Sequence, residues 1–181
     1  MSDSLRLARR TTVGATQGRL EHEPLLIAQD VDLLLAMRRS ARQPSTRIIG
    51  VVDDQRRIVG VVPVALLAEA VVAHAFPEAF FAELADIEEV GQFGHNVEAR
   101  TIGEIMLPPA TIAPEATLGD AFRMMHQQRL SGLYVVDETG RPTGYIDVQE
   151  LAMRYVEALE DARGSTASAV SDVQDPPGAA S

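Results

Sequence analysis

The chain contains no cysteine, no lysine and no tryptophan, and only 4% of its 181 residues are aromatic. Without cysteine there is no disulfide, no thiolate nucleophile and no zinc site built on sulfur, which is compatible with a reducing compartment. Without lysine there is no Schiff-base nucleophile and no P-loop lysine; all 16 basic residues are arginine. Positive charge is scarce as well. The net charge is −10 and the pI is near 4.8, the reverse of the clustered cationic face on which affinity for a nucleic-acid backbone depends. No apolar run reaches the ~18–20 residues of a membrane span, and none follows the N-terminal arginines Arg6, Arg9 and Arg10. These absences predict a cytoplasmic protein that engages neither nucleic acid nor membrane.

What the chain does contain is aliphatic: 46% of it is hydrophobic, enough for one ordinary globular domain with a core of Leu, Val, Ile and Ala. It also contains a duplication. Residues from about Leu25 to Ala73 and from about Ala110 to Ala158 follow one pattern at an offset of roughly 84–85 residues. Leu26-Ile27-Ala28 answers to Thr111-Ile112-Ala113, Val51-Val52-Asp53 to Val135-Val136-Asp137, and Gly60-Val61-Val62 to Gly144-Tyr145-Ile146. Each copy reads as βαββα and is too small to bury a good core alone, so the two are expected to pair and to leave clefts at their junction.

Local signals place the elements. Leu33, Ala36, Met37 and Ser40 form one helical face in the first copy, and Leu118, Ala121, Phe122 and Met125 form its counterpart in the second. Thr101-Ile-Gly-Glu104 and, more loosely, Thr117-Leu-Gly-Asp120 carry the capping-box pattern. Each copy has a hairpin of continuous apolar strands, Ile48 to Val52 with Ile58 to Val62 and Leu133 to Val136 with Thr143 to Ile146, of the kind that helices cover on both faces. Closing helices are expected from Val64 to His74 and from Val148 to Ala162. Gln17-Gly18-Arg19-Leu20 matches Ile102-Gly103-Glu104-Ile105 at the same offset and reads as a lead-in.

The organisation that follows is an unstructured arm over residues 1–14, a first repeat over 15–74, a helical insert over 75–100, a second repeat over 101–162 and a disordered tail over 163–181. The insert belongs to neither repeat. Pro77 can start its helix, and Phe80, Phe81, Leu84 and Ile87 recur at helical spacing, an apolar stripe for which an oligomer partner is one expected cover. His22, His74, His95 and His126 are scattered, and no metal-binding His pair, nucleophile elbow, dinucleotide or Walker pattern is present.

Taken together, Thr101 to Met106, Thr111 to Thr117, Ala121 to Met125, Leu130 to Asp137 and Gly144 to Leu151 resemble a CBS domain, and the doubled pattern over about residues 15–160 resembles a tandem CBS pair, or Bateman module. The resemblance implies an α/β (α+β) fold of two βαββα repeats about a pseudo-twofold axis, a regulatory and non-catalytic role in signal transduction, and dimerisation into a flat disc. It also implies clefts for adenosine-containing ligands such as AMP, ADP, ATP, adenosine or S-adenosylmethionine, with no obligatory cofactor. The ligand-binding positions it marks here are Thr111, Ile112, the Leu133-Tyr134 backbone, Asp147 and Glu150, and no metal site.

Two departures qualify the resemblance. Nucleotide-binding members tend to carry Ser or Thr on the phosphate side, where this chain has Asp147, and Asp on the ribose side, where it has Glu150. A carboxylate about 4 Å from a phosphate costs roughly 1 kcal/mol per charge pair even in water. Asp147 and Glu150 also read, with no ligand, as an N-cap and its N3 partner at a helix start. In the first copy the equivalents are Pro63 and Leu66, whose side chains accept no hydrogen bond, so at most one competent cleft is expected per chain. Tyr134 stands where the family usually has Pro and either shapes the adenine slot or fills it. Two other readings stay open: a ligand-free interaction or oligomerisation module, and a divalent-cation sensor.

Overall fold

The computed structural model describes residues 11–16, 24–75, 98–153, 156 and 160. The first repeat runs β1 (Leu26–Ala28), α1 (Leu33–Ser40), β2 (Ile48–Val52), β3 (Ile58–Pro63) and α2 (Val64–Ala75). The second runs β4 (Thr111–Ile112), α3 (Leu118–Gln128), β5 (Gly132–Val136) and β6 (Pro142–Asp147), after which a helix, α4, begins at residue 148. Each repeat builds a three-stranded sheet in the order β1-β2-β3 or β4-β5-β6, the first pair parallel and the second antiparallel. The duplication reaches down to irregularities. Both hairpins slip register at the same place, between Val51 and Val52 and between Val135 and Val136. Both turns are organised by one aspartate: Asp53 accepts from the amides of Gln55 and Arg57, both at 2.9 Å, and Asp137 from those of Thr139 and Arg141 at 2.8 and 3.0 Å.

The helices start where side chains can satisfy orphan amides. Asp32 caps α1 by accepting from Leu34 N and Leu35 N at 2.9 and 3.2 Å, while Arg38 and Arg39 complement the dipole in its last turn. The looser of the two capping patterns is the complete one: Thr117 Oγ1 accepts from Asp120 N at 3.1 Å and Asp120 accepts from Thr117 N at 3.2 Å. At Thr101 the expectation fails. Ile102–Glu104 is a single 3-10 turn, the Thr101 hydroxyl caps nothing, and Glu104 accepts from Arg100 N at 2.7 Å instead. The buried face of α3 carries Leu118, Ala121 and Met125, as expected, but Phe122 is 56% exposed at the edge of the stripe.

The lead-ins are exchanged. Val13 N and Gly14 N donate to Ala116 O and Pro114 O, and Leu118 N donates to Thr11 O, so the segment before the first repeat packs on the second. Reciprocally, Ile102 N and Gly103 N donate to Val31 O and Gln29 O, Leu33 N to Arg100 O, and Val61 and Leu107 pair both ways. In its bonds to the opposite repeat Thr12-Val-Gly-Ala15 is the counterpart of Thr101-Ile-Gly-Glu104, while the expected lead-in, Gln17 to Leu20, lies outside the described residues. Residues 11–14, expected to be part of an unstructured arm, are instead bonded to the second repeat, with Val13 in its core. The expected insert helix around Phe80, Phe81 and Leu84 lies outside the described residues, as does the tail.

β2 is buried along its whole length and contacts β5 across the junction. One core cluster mixes Val13, Ile48, Val52, Ile58 and Val61 with Ile112, Leu118, Leu133, Tyr134 and Ile146; the other centres on the first repeat and takes in Ile102 and Ile105 of the second lead-in. Neither repeat's core is self-contained.

Candidate functional site

At the end of β6 the strand period places Tyr145 and Asp147 on one face, while Ile146 between them is buried on the other. The chain turns directly into α4, and Asp147 Oδ1 accepts from Glu150 N at 2.8 Å, capping the helix. That cap sets Asp147 and Glu150 at the mouth of a cavity of about 170 Å³, whose second-repeat wall also includes Tyr145, Gln149 and Met153. The opposite wall comes from the first repeat: Ser45 and Arg47, just before β2. Arg47 is anchored there by its carbonyl, which accepts from Val64 N at 2.9 Å.

Tyr145 is the cavity's most constrained member. Its ring tilts 58° against that of Tyr134 with centroids 5.2 Å apart, and its hydroxyl lies over Gly132, where any side chain would collide with it. The hydroxyl oxygen is buried without a hydrogen-bond partner. Burial raises its pKa well above the ordinary tyrosine range; Asp147 and Glu150 push the same way and Arg47 opposes them. The proton therefore stays on oxygen at neutral pH, on a hydroxyl that lies against Gly132.

The residues marked from sequence divide into two groups. Asp147 and Glu150 meet in the cavity, but Thr111, Ile112, Leu133 and Tyr134 do not line it. Ile112 and Leu133 are buried in the core of the second repeat, and Thr111 pairs with Tyr134 in the sheet. The amide of Tyr134 is already bonded to Ala110 O at 2.9 Å, so it is not available to a base. Tyr134 fills rather than shapes its space: it is fully buried, and its hydroxyl donates to both Leu25 O at 2.9 Å and Ile48 O at 3.0 Å in the first repeat. Ser45, Arg47, Tyr145, Gln149 and Met153 were missed from sequence. The two-residue strand period would have put Tyr145 beside Asp147; the first-repeat wall needed the docking of the repeats.

A second, open concavity of about 530 Å³ lies between α3 and α4, lined by Phe122, Met125, His126, Arg129 and Val148 among others. His126 is exposed, consistent with a surface residue. Among the described residues no cluster of three or more His, Cys, Asp or Glu could hold a metal ion, and no helix is long and apolar enough to cross a membrane.

Residues 102–157 match the family model of the CBS domain. The chain superposes on a CBS domain-containing protein from Thermotoga maritima with a TM-score of 0.63 at 23% identity, covering 80% of this chain and 93% of that one. The fold is that of a tandem CBS-domain pair. Two further CBS pairs agree: that of protein MJ0100, in complex with 5′-methylthioadenosine and S-adenosylmethionine (TM-score 0.60, 17% identity, 82% and 98% coverage), and CBSX2 in complex with AMP (0.59, 19%, 82% and 98%). No curated protein sequence matches the chain. The two repeats differ at the strand-to-helix junction: Asp147 caps α4, while Pro63, whose side chain accepts no hydrogen bond, ends β3 just before α2.

Proposed function

We propose that the chain is a regulatory, non-catalytic CBS pair that senses an adenosine-type ligand through the second-repeat cleft. The observation that carries this reading is the cavity at the seam of the repeats, walled by Arg47 and Ser45 from one and by Asp147 and Glu150 from the other. A ligand there touches both repeats at once, so binding biases how they sit together, and that is what a regulatory module transmits. Glu150 offers two acceptor oxygens to a ribose; the adenosine ligands of MJ0100 and CBSX2 support the ligand class. Thermal shift of the whole chain with AMP, ATP, adenosine and S-adenosylmethionine tests it, since a ligand that binds only the native state at 100 times its Kd adds about 2.7 kcal/mol. Metal-free ATP is expected to be the weakest, and Asp147→Thr to strengthen AMP. No shift with any adenosine compound overturns the reading.

The same module acts as a homodimer. Phe122 on α3 and Val148 and Val156 on α4 are large, apolar and exposed on neighbouring helices, Phe122 by 56%. A twofold axis lets one such patch meet its own copy, which is the closed way to cover it.

A further inference from the structure

The outer face of α1 puts exposed leucines beside unpaired arginines. Leu33, Ala36 and Ser40 are buried, while Leu34 and Leu35 stand 52% and 44% exposed on the opposite side, and Val72 is 46% exposed on α2, which packs against α1. Arg38, Arg39 and, just beyond the helix, Arg42 are exposed as well, and none of the three has an ion-pair partner among the described residues. The helix dipole favours arginine in a last turn but gives no reason for the leucines. The second repeat lacks this arrangement at the same positions. Where α1 has Leu34 and Leu35, α3 has Gly119 and Asp120, and Asp120 holds Arg123, the counterpart of Arg38, at 3.0 Å. An apolar patch rimmed by charge marks a contact surface, and this one is built into the first repeat alone.

The insert is tied to the same layer at both ends. It follows α2 directly after Ala75, and the chain returns at Arg100, whose carbonyl accepts from the amide of Leu33, the first residue of α1, at 3.1 Å. Residues 76–97 hold four of the chain's five phenylalanines and five carboxylates without a single arginine. Phe80, Leu84 and Ile87 recur at helical spacing, with Glu83 and Glu88 bordering them. We infer that this segment lies along the outer face of α1 in its own chain, its apolar stripe on Leu34, Leu35 and Val72 and its carboxylates on Arg38, Arg39 and Arg42. The charges are opposite and the apolar parts match. A second copy presenting the same face at a twofold axis would set arginine against arginine, and a separate acidic partner would approach a chain of net charge −10. A segment joined at both ends meets neither obstacle, because tethering keeps its local concentration high. The docked insert occupies the helical face of the first repeat and leaves the α3–α4 face for a twofold partner, whatever the cavity at the seam binds.

The chain's lack of cysteine makes disulfide trapping unambiguous. Leu35→Cys is combined with Leu84→Cys in the intact chain, and Leu34→Cys with Phe81→Cys; Phe122→Cys with Leu84→Cys asks whether the α3–α4 face takes the insert instead. Under mild oxidation, at least one of the first two pairs is expected to close within a single chain, at a rate independent of protein concentration and at least about tenfold faster than the Phe122 pair. Adding Arg38→Glu and Arg39→Glu should slow closure about three- to tenfold, and adding Glu83→Arg and Glu88→Arg to that chain should restore it. Disulfides formed mainly between chains give the face to a second copy and overturn the inference. So does a Phe122 pair that closes as fast, a rate indifferent to the charge reversal, or a failure of both α1 pairs to close.

Discussion

Tyr134 packs on Gly50, the residue that corresponds to it in the other repeat. A Cβ built at Gly50 would stand 2.7 Å from Tyr134 Cζ and 2.9 Å from Leu26 Cδ2, so one copy supplies a ring and its counterpart the hollow that admits it. The duplicated position has become complementary to itself across the junction. Gly50→Ala is expected to destabilise the fold by about 1–3 kcal/mol through overpacking. Adding Tyr134→Leu to Gly50→Ala should recover part of that loss, giving a coupling of about 0.5–3 kcal/mol in a double-mutant cycle read by urea unfolding.

Tyr134→Phe keeps the ring and removes the hydroxyl that joins Leu25 O and Ile48 O. We expect a loss of about 1–2 kcal/mol with an unchanged urea m-value. A midpoint identical to wild type would mean that the bridge contributes nothing across the seam.

The two buried phenols set an alkaline limit. Burial raises the pKa of Tyr134 and of Tyr145 above the ordinary 10.0. A raised folded-state pKa contributes stability that is fully present below pH 10 and is lost as pH climbs above it, where the unfolded chain ionises and the folded one does not. Ultraviolet titration should therefore show two tyrosines ionising only together with unfolding, and ionisation of both in the folded protein near pH 10 would contradict their burial.

Thr117→Val tests the α3 cap. The hydroxyl accepts from Asp120 N and donates to Asp120 Oδ2 at 2.7 Å, so its loss should cost about 1 kcal/mol at neutral pH. Asp120 has a pKa below its usual 3.8, chiefly because of the Thr117 hydroxyl and amide. A depressed pKa contributes stability present above pH 3.8 and lost as pH falls through the folded value. The gap between wild type and Thr117→Val should then narrow in acid without closing, because the Asp120 amide still needs its acceptor.

Phe122→Glu and Val148→Glu place charge in the exposed α3–α4 patch, away from the cavity at the seam. Light scattering should report a folded monomer for the pair of substitutions against a dimer for the wild type. A wild-type monomer, or a mutant dimer, would remove this patch from the assembly.

The repeats, their hairpins and the Asp147 cap at the end of β6 were legible in the sequence because each rests on local spacing: a duplicated pattern, a two-residue strand period, a strand-to-helix junction. Failures came where a distant partner decides. Phe122 sits at the edge of a helical stripe, and periodicity locates a stripe's centre better than its margin. Val13 and Gly14 lack any periodicity and so read as part of an arm, but their hydrogen bonds to Ala116 and Pro114 fix them on the second repeat. Tyr134 could not be assigned to its slot without Gly50 opposite it. Arg47 joins Asp147 only when the two repeats dock.

The exchanged lead-ins have a consequence for synthesis. The segment Thr11–Thr16 leaves the ribosome early, yet the amides and carbonyls it binds belong to residues 114–118, and the first repeat in turn takes its bonds from residues 100–107. At ~5–20 residues per second, the nascent first repeat waits on the order of ten seconds with those edges unmet. Premature termination between the end of the first repeat and residue 118 leaves a chain that has made its own strands but cannot close them, so quality control sees an all-or-none product in place of a finished half.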